Sequence, residues 1–235
     1  MKKNISRIIG AVFCAMCVSC DNADELLDQY IEKGPIIYAG RIEELNIKSG
    51  YQRVGIRILP AEDVNRAYCM MRWNTAAGTK DSVKVEYTAS NKLDGDEGYY
   101  AVLPLPDIEG NVLIEAWNVD AFGNRSLLTN KGGYVYGENY VQTLMPSFAR
   151  FISKDQVIEF DNKIGAVDNL VSYEQTNGQF TDEIRVVQRL TLVNPKKGGV
   201  VRSRTRYLIN ESDIDTLVTP NYLETVISGD QVVGQ

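Results

Sequence analysis

The side chains that could do chemistry in this 235-residue chain are bounded first by one that is missing, since the sequence contains no histidine. That removes Ser-His-Asp and Cys-His nucleophilic relays and every His-ligated zinc site. A pair of carboxylates could still run glycoside hydrolysis, but spacing singles out no pair among the 31 acidic residues. Asp94-Gly95-Asp96-Glu97 gathers oxygen ligands on a turn, as a calcium ion would need. Without the rest of a ligand loop it reads as a solvated turn. No catalytic residue, metal or cofactor is expected.

Aromatic rings are the other chemically useful group, because a flat π-face packs on the C–H face of a sugar while polar neighbours take its hydroxyls. Tyr99, Tyr100, Trp117, Tyr134, Tyr136 and Tyr140 are candidates. Trp73 and Trp117 lie in apolar strands and read as core. Tyr134, Tyr136 and Tyr140 stand together near a domain junction, where they could form a ligand platform or simply pack one domain on the other. Arg202, Arg204 and Arg206 alternate and so share one sheet face. A face neutralised by acidic neighbours is the default reading, and an anion-binding patch the alternative.

The elements that must position these residues are short strands. Arg41–Ile47, Arg53–Leu59, Tyr68–Trp73, Val83–Tyr87, Tyr99–Leu103, Val112–Val119 and a segment after Arg125 alternate with period two between Gly, Asn, Asp and Pro clusters. Seven such strands in about 100 residues predict an immunoglobulin-like or fibronectin type III-like sandwich. Val112–Val119 turns through Asp120–Asn124 into a hairpin; Gly132-Gly133 then loosens the chain, and new alternating segments follow. These are Phe148–Ile152, Val157–Phe160, Val171–Glu174, Ile184–Val193, Val200–Leu208, Thr216–Val218 and Tyr222–Ile227. The expectation is all-β: two tandem sandwiches, domain 1 at 36–133 and domain 2 at 134–235.

Residues 1–19 read as a signal peptide, with Lys2, Lys3 and Arg7 ahead of the apolar run Ile8–Val18, too short for a stable transmembrane helix. Cys17-Val18-Ser19-Cys20 resembles the lipobox of bacterial lipoproteins, with Cys17 where Leu is usual. That resemblance implies lipidation at Cys20, a tether over 20–35, and a lipid-anchored, cell-surface location on the outer membrane, the acidic start Asp21-Asn22-Ala23-Asp24-Glu25 resembling export signals of Bacteroides-type lipoproteins. Cys14 and Cys17 leave with the signal, so Cys69 is left alone without an intrachain disulfide partner. Subtracting the three leader cations from 25 leaves 22 basic against 31 acidic residues, a net charge of −9, which makes nucleic acid an unsuitable partner.

Several motifs together, Ile37-Tyr38-Ala39-Gly40-Arg41, Gly123-Asn124-Arg125-Ser126, Tyr134-Val135-Tyr136-Gly137-Glu138-Asn139-Tyr140, Arg204-Thr205-Arg206-Tyr207-Leu208 and Asp213-Ile214-Asp215-Thr216, resemble the DUF4998 family of Bacteroides lipoproteins. The resemblance implies a surface lipoprotein of two fibronectin III-like domains and supplies no catalytic residue. Asp81-Ser82-Val83 and Asp215-Thr216-Leu217 resemble the O-glycosylation motif of exported Bacteroides proteins, which points to Ser82 and Thr216. Two functions remain open. One is a non-catalytic module binding a glycan or partner protein; the other is a structural or adhesive spacer with no ligand.

Overall fold

A computed structural model of the chain describes residues 38–228. The expected signal peptide, Cys20 and the tether lie outside these residues. No helix among the described residues is long and apolar enough to cross a membrane.

The first half builds seven strands, β1 (Ile42–Tyr51), β2 (Arg53–Pro60), β3 (Arg66–Asn74), β4 (Lys80–Glu86), β5 (Tyr99–Pro104), β6 (Gly110–Asp120) and β7 (Thr129–Tyr136). Period two in the sequence becomes two faces in space: Val54, Ile56 and Ile58 of β2 are fully buried while Arg53 and Arg57 point away from them. The hydrogen-bonded order is β4-β3-β6-β7-β1-β2-β5. All pairings are antiparallel except β1 with β7, which run parallel through Gly50–Val135 and Tyr51–Tyr136. That short seam joins a β4-β3-β6-β7 layer to a β1-β2-β5 layer. Between them lie Ile42, Leu45, Val54, Ile56, Ile58, Met71, Trp73, Leu103, Ile114 and Val135. Each aliphatic side chain so enclosed contributes roughly 1.5–3 kcal/mol.

After a single helical turn, α1 (Glu138–Gln142), eight strands follow, most of them short. They are β8 (Ala149–Ile152), β9 (Val157–Phe160), β10 (Ala166–Tyr173), β11 (Ile184–Val186), β12 (Arg189–Thr191), β13 (Val200–Tyr207), β14 (Leu217–Val218) and β15 (Leu223–Val226). One sheet is β12-β9-β8; the other is β11-β10-β13-β14, with β15 also on β13. A second apolar cluster, including Phe151, Ile158, Phe160, Val171, Tyr173, Leu192 and Val201, fills the space between them. The two halves share one strand order, and in each the fourth strand pairs with the third. That arrangement is of the fibronectin type rather than the constant immunoglobulin type, whose fourth strand joins the opposite sheet.

The halves also share a polar clamp. Asn118 on β6 donates its backbone N–H to Ser126 Oγ at 2.9 Å and its side-chain Nδ2 to the Gly40 carbonyl at 2.7 Å, tying down the segment before β1. Thr205, at the matching place on β13, donates its N–H to Thr219 Oγ1 at 3.0 Å and accepts from the Ser147 N–H at 2.7 Å, tying down the segment before β8. Both residues are buried, and both would be costly without these partners. Tyr87 Oη completes the first clamp, donating to Asn118 Oδ1 at 2.6 Å.

Three details depart from the sequence expectations. Gly132 and Gly133 do not loosen the chain but pair with Leu113 and Val112 inside β7. A side chain at Gly133 would stand 2.5 Å from Ile47 Cγ2, so the glycine lets β1 close on β7. Because β7 runs through Tyr136, the expected boundary between 133 and 134 falls within a strand of the first sheet. Finally, Ile184–Val193 is two strands: β11 adds to β10, the chain crosses at Val187-Gln188, and β12 adds to β9 in the opposite sheet. Alternation alone hides such a crossing, since Val186 in one piece and Leu190 in the other both turn toward the same core.

Cys69 is fully buried on β3 and unpaired, and burial pushes its thiol up to about 12. Thiolate is the reactive form. Native protein should therefore resist alkylation by iodoacetamide at pH 8 for as long as it stays folded and react at once in denaturant; rapid labelling of the native form at Cys69 would contradict its burial.

Candidate functional site at the junction of the two sandwiches

Where β7 ends, the chain turns into α1 at Gly137, which supplies no capping side chain. The cap comes instead from Glu109, just before β6. Its carboxylate accepts from the Asn139 and Tyr140 backbone N–H groups at 3.2 and 2.5 Å and from Asn139 Nδ2 at 2.8 Å. Gly137 makes room for it, because a side chain there would lie 2.6 Å from Glu109 Oε2. Tyr51 Oη donates to Glu138 Oε2 at 3.1 Å. The connector is thus fastened to the first sandwich.

The second sandwich reaches back through the loop after β13. Asp215 takes Arg53 in a two-point ion pair, with Nε to Oδ2 at 2.9 Å and Nη2 to Oδ1 at 2.5 Å, and also accepts the Tyr51 backbone N–H at 2.9 Å. Its neighbour Ile214 donates its own N–H to the Ser49 carbonyl at 2.9 Å. The loop can lie this close because the facing strands carry glycines. A methyl on Gly50 would sit 2.6 Å from Asp215 Oδ2 and 2.7 Å from Ile214 Cγ1, and one on Gly55 would meet Ile214 Cγ2 at 3.0 Å. Arg53 holds the Asp215 carboxyl below its ordinary value, against the opposing pull of burial.

The three expected tyrosines do come together here. Ring centroids are 5.3 Å apart for Tyr134 and Tyr136, 4.8 Å for Tyr136 and Tyr140, and 6.1 Å for Tyr134 and Tyr140. Tyr136 is 3% exposed, so it has no free face to offer a ligand. Its hydroxyl donates to Asp213 Oδ2 at 2.9 Å and accepts from Asn210 Nδ2 at 3.1 Å, and burial followed by the Asp213 contact pushes its ionisation well above the usual phenol range. Tyr136 is a joint between the sandwiches. Tyr134 and Tyr140 are half-buried and keep part of their rings in solvent. Beside them a groove of about 470 Å³ runs along the seam, lined by Tyr51, Arg53, Val141, Thr216 and Val218.

The remaining sequence candidates scatter. Thr216 is exposed in that groove, while Ser82 is exposed far along the chain on the edge strand β4. Asp96 is bound by Arg57 at 2.9 and 2.8 Å and accepts from the Gly98 N–H, so the 94–97 turn spends that carboxylate internally. Tyr99 is buried, and the Tyr100 hydroxyl rests over Gly55. Trp73 is core, as read from the sequence. Trp117 is also buried, but on the outer face of its sheet, between the Arg72 and Arg125 guanidiniums at 5.3 and 5.7 Å. The Arg row is neutralised, by Glu224 on Arg202, Glu183 on Arg204 and Asp168 on Arg206. Sequence reasoning missed Arg53, Glu109, Asn210, Asp213 and Asp215 as seam residues. Only Asp213-Ile214-Asp215 left a trace, as part of the motifs quoted for the family.

Fold and site together define an all-β protein of fibronectin-like sandwiches whose prominent polar clusters are structural. The family model DUF4998, a domain of unknown function, matches residues 20–217, and the chain belongs to that family. No curated protein matches it. Among solved structures, the FN1–FN3 domains of chicken CNTN1 are similar at 9% identity and a TM-score of 0.41, over 83% of this chain and 68% of that one.

Proposed function

We propose that the protein is a non-catalytic lipoprotein of the outer-membrane surface that presents a binding face for a glycan or a partner protein. The observation supporting this reading is the seam. The Arg53–Asp215 ion pair, the backbone N–H bonds of Tyr51 and Ile214 and the Tyr136–Asp213 hydrogen bond hold the two sandwiches to each other, more than is needed if the halves had only to be strung together. Cys20 is the proposed anchor, each acyl methylene adding roughly 0.8 kcal/mol of membrane affinity. At the junction, Tyr134 and Tyr140 are the proposed ligand-facing rings and Tyr136 their support. Ser82 and Thr216 are proposed glycan attachment points, both with exposed side chains. The burial of Tyr136 favours a second reading, a spacer without ligand.

Two measurements test this. Detergent-phase partitioning should retain the wild type and lose Cys20→Ala, and a wild type in the aqueous phase would sink the anchor. Full-length protein in detergent micelles, applied to a glycan array, should bind; silence there together with no protein partner recovered by cross-linking on intact cells leaves the spacer.

A further inference from the structure

The outer face of the β11-β10-β13-β15 sheet carries two aromatic rings laid over arginines. Phe180 sits on the tight turn that follows β10, with its ring 4.5 Å from the Arg202 guanidinium. Tyr222, just before β15, has its ring 4.7 Å from the Arg204 guanidinium. One face of each ring is backed by a cation, yet Phe180 is 40% and Tyr222 47% exposed, which leaves the opposite faces in solvent. Arg202 and Arg204 are two residues apart on one strand, so the rings are spaced by roughly 7 Å along it.

The rings are also fixed in place. Glu183 Oε1 accepts from both Arg204 Nη2 at 2.8 Å and Tyr222 Oη at 3.1 Å, a tie across the sheet from the edge strand on one side to the edge strand on the other. Arg202 Nε is held by Glu224 Oε1 at 2.9 Å. Phe180 is set by a β-bridge to Glu174. Ordering these side chains beforehand removes an entropic cost that a ligand would otherwise meet.

We infer that this face is a binding site for a neutral polysaccharide, with Phe180 and Tyr222 stacking on successive sugar rings and Glu183, Glu224 and the free guanidinium N–H groups taking hydroxyls. The inference rests on the reading of the protein as a binding module and adds to the junction tyrosines a separate site on the second sandwich. Charge selects the class of ligand. Each arginine of the row already has its carboxylate, so an acidic polymer would have to displace one, whereas a polyol can share hydrogen bonds with an intact pair. Stacking on the exposed ring faces asks only for a C–H-rich surface.

Affinity electrophoresis of the full-length protein in detergent gels containing xyloglucan, arabinoxylan, mannan, or polygalacturonate tests it. Retardation is expected with at least one neutral polymer, unaffected by 0.5 M NaCl as about the upper salt needed to screen surface charge. Phe180→Ala with Tyr222→Ala should weaken it roughly tenfold or more, Tyr222→Phe should largely retain it, and unchanged thermal melts would show that the fold is kept. If the double variant misfolds, Phe180→Ala alone, at an exposed position, serves instead. Retardation by a neutral polymer that survives loss of both rings overturns the site while sparing the binding reading. Retardation by polygalacturonate alone overturns the ligand class, and none with any polymer overturns the proposal, the glycan array then deciding the broader reading.

Discussion

Asp215→Ala is expected to unfasten the seam and lower the melting temperature by roughly 5 °C. The carboxylate serves Arg53 twice and the Tyr51 N–H once. Charge-assisted bonds of this kind are worth about 1.5–3 kcal/mol, but Arg53 is nearly half exposed, so screening brings the total to roughly 2 kcal/mol. For a chain of this size each kcal/mol moves the melt by about 2–4 °C. Amide exchange should quicken at Tyr51 and Ile214 and leave β2 and β13 protected. The contribution also depends on pH. Because the folded carboxyl titrates below its ordinary 3.8, its stabilisation is full above that value and is lost as pH falls through the depressed folded value. Asp215→Asn should lose most of the stability and with it this acid sensitivity. Unchanged melting and unchanged exchange in Asp215→Ala would mean the loop does not lock the sandwiches.

A larger loss is expected from Asn118→Ala, roughly 3 kcal/mol, since it strands the half-buried Tyr87 hydroxyl and the Gly40 carbonyl and opens a cavity. The readout is built into the sequence. Both tryptophans, Trp73 and Trp117, belong to the first sandwich, so fluorescence reports on that half, while circular dichroism follows both. Asn118→Ala should bring the fluorescence transition to clearly lower urea. Thr205→Val, which removes the matching hydroxyl from the second clamp and leaves Ser147 N–H unanswered, should shift the dichroism more than the fluorescence. Equal shifts of both signals in both variants would show the halves unfolding as one.

Strand pattern was the legible part of the chain. Val54, Ile56 and Ile58 announce an inward face, and all seven strands of the first half occur close to where alternation puts them. What escaped sequence reading depends on distant neighbours. Gly133 reads as a hinge until Ile47 is known to lie against it, and Arg53 as a solvated strand residue until Asp215 arrives. The tyrosines show the same limit from the other side: their spacing brought them together, but whether a ring faces water or Asp213 is settled by a loop 77 residues away. Phe180 and Tyr222 carry no local signal at all, because each acquires its meaning from an arginine on another strand.

The parallel contact of β1 with β7 and the docking of the 213–215 loop on Tyr51 also set a timetable. Asp215 lies 164 residues beyond Tyr51. The edge from Ser49 to Arg53 therefore stays uncovered until a segment 164 residues further along the chain reaches it. Contacts closed over such long loops are slow to form and cannot guide early collapse. During that wait the loop of a neighbouring chain is chemically equivalent to the chain's own, so crowding at the moment of folding favours exchange of the 209–216 segment between molecules. Glycines 50 and 55, which make the tight seam possible, leave its landing surface bare until the last strands are in place.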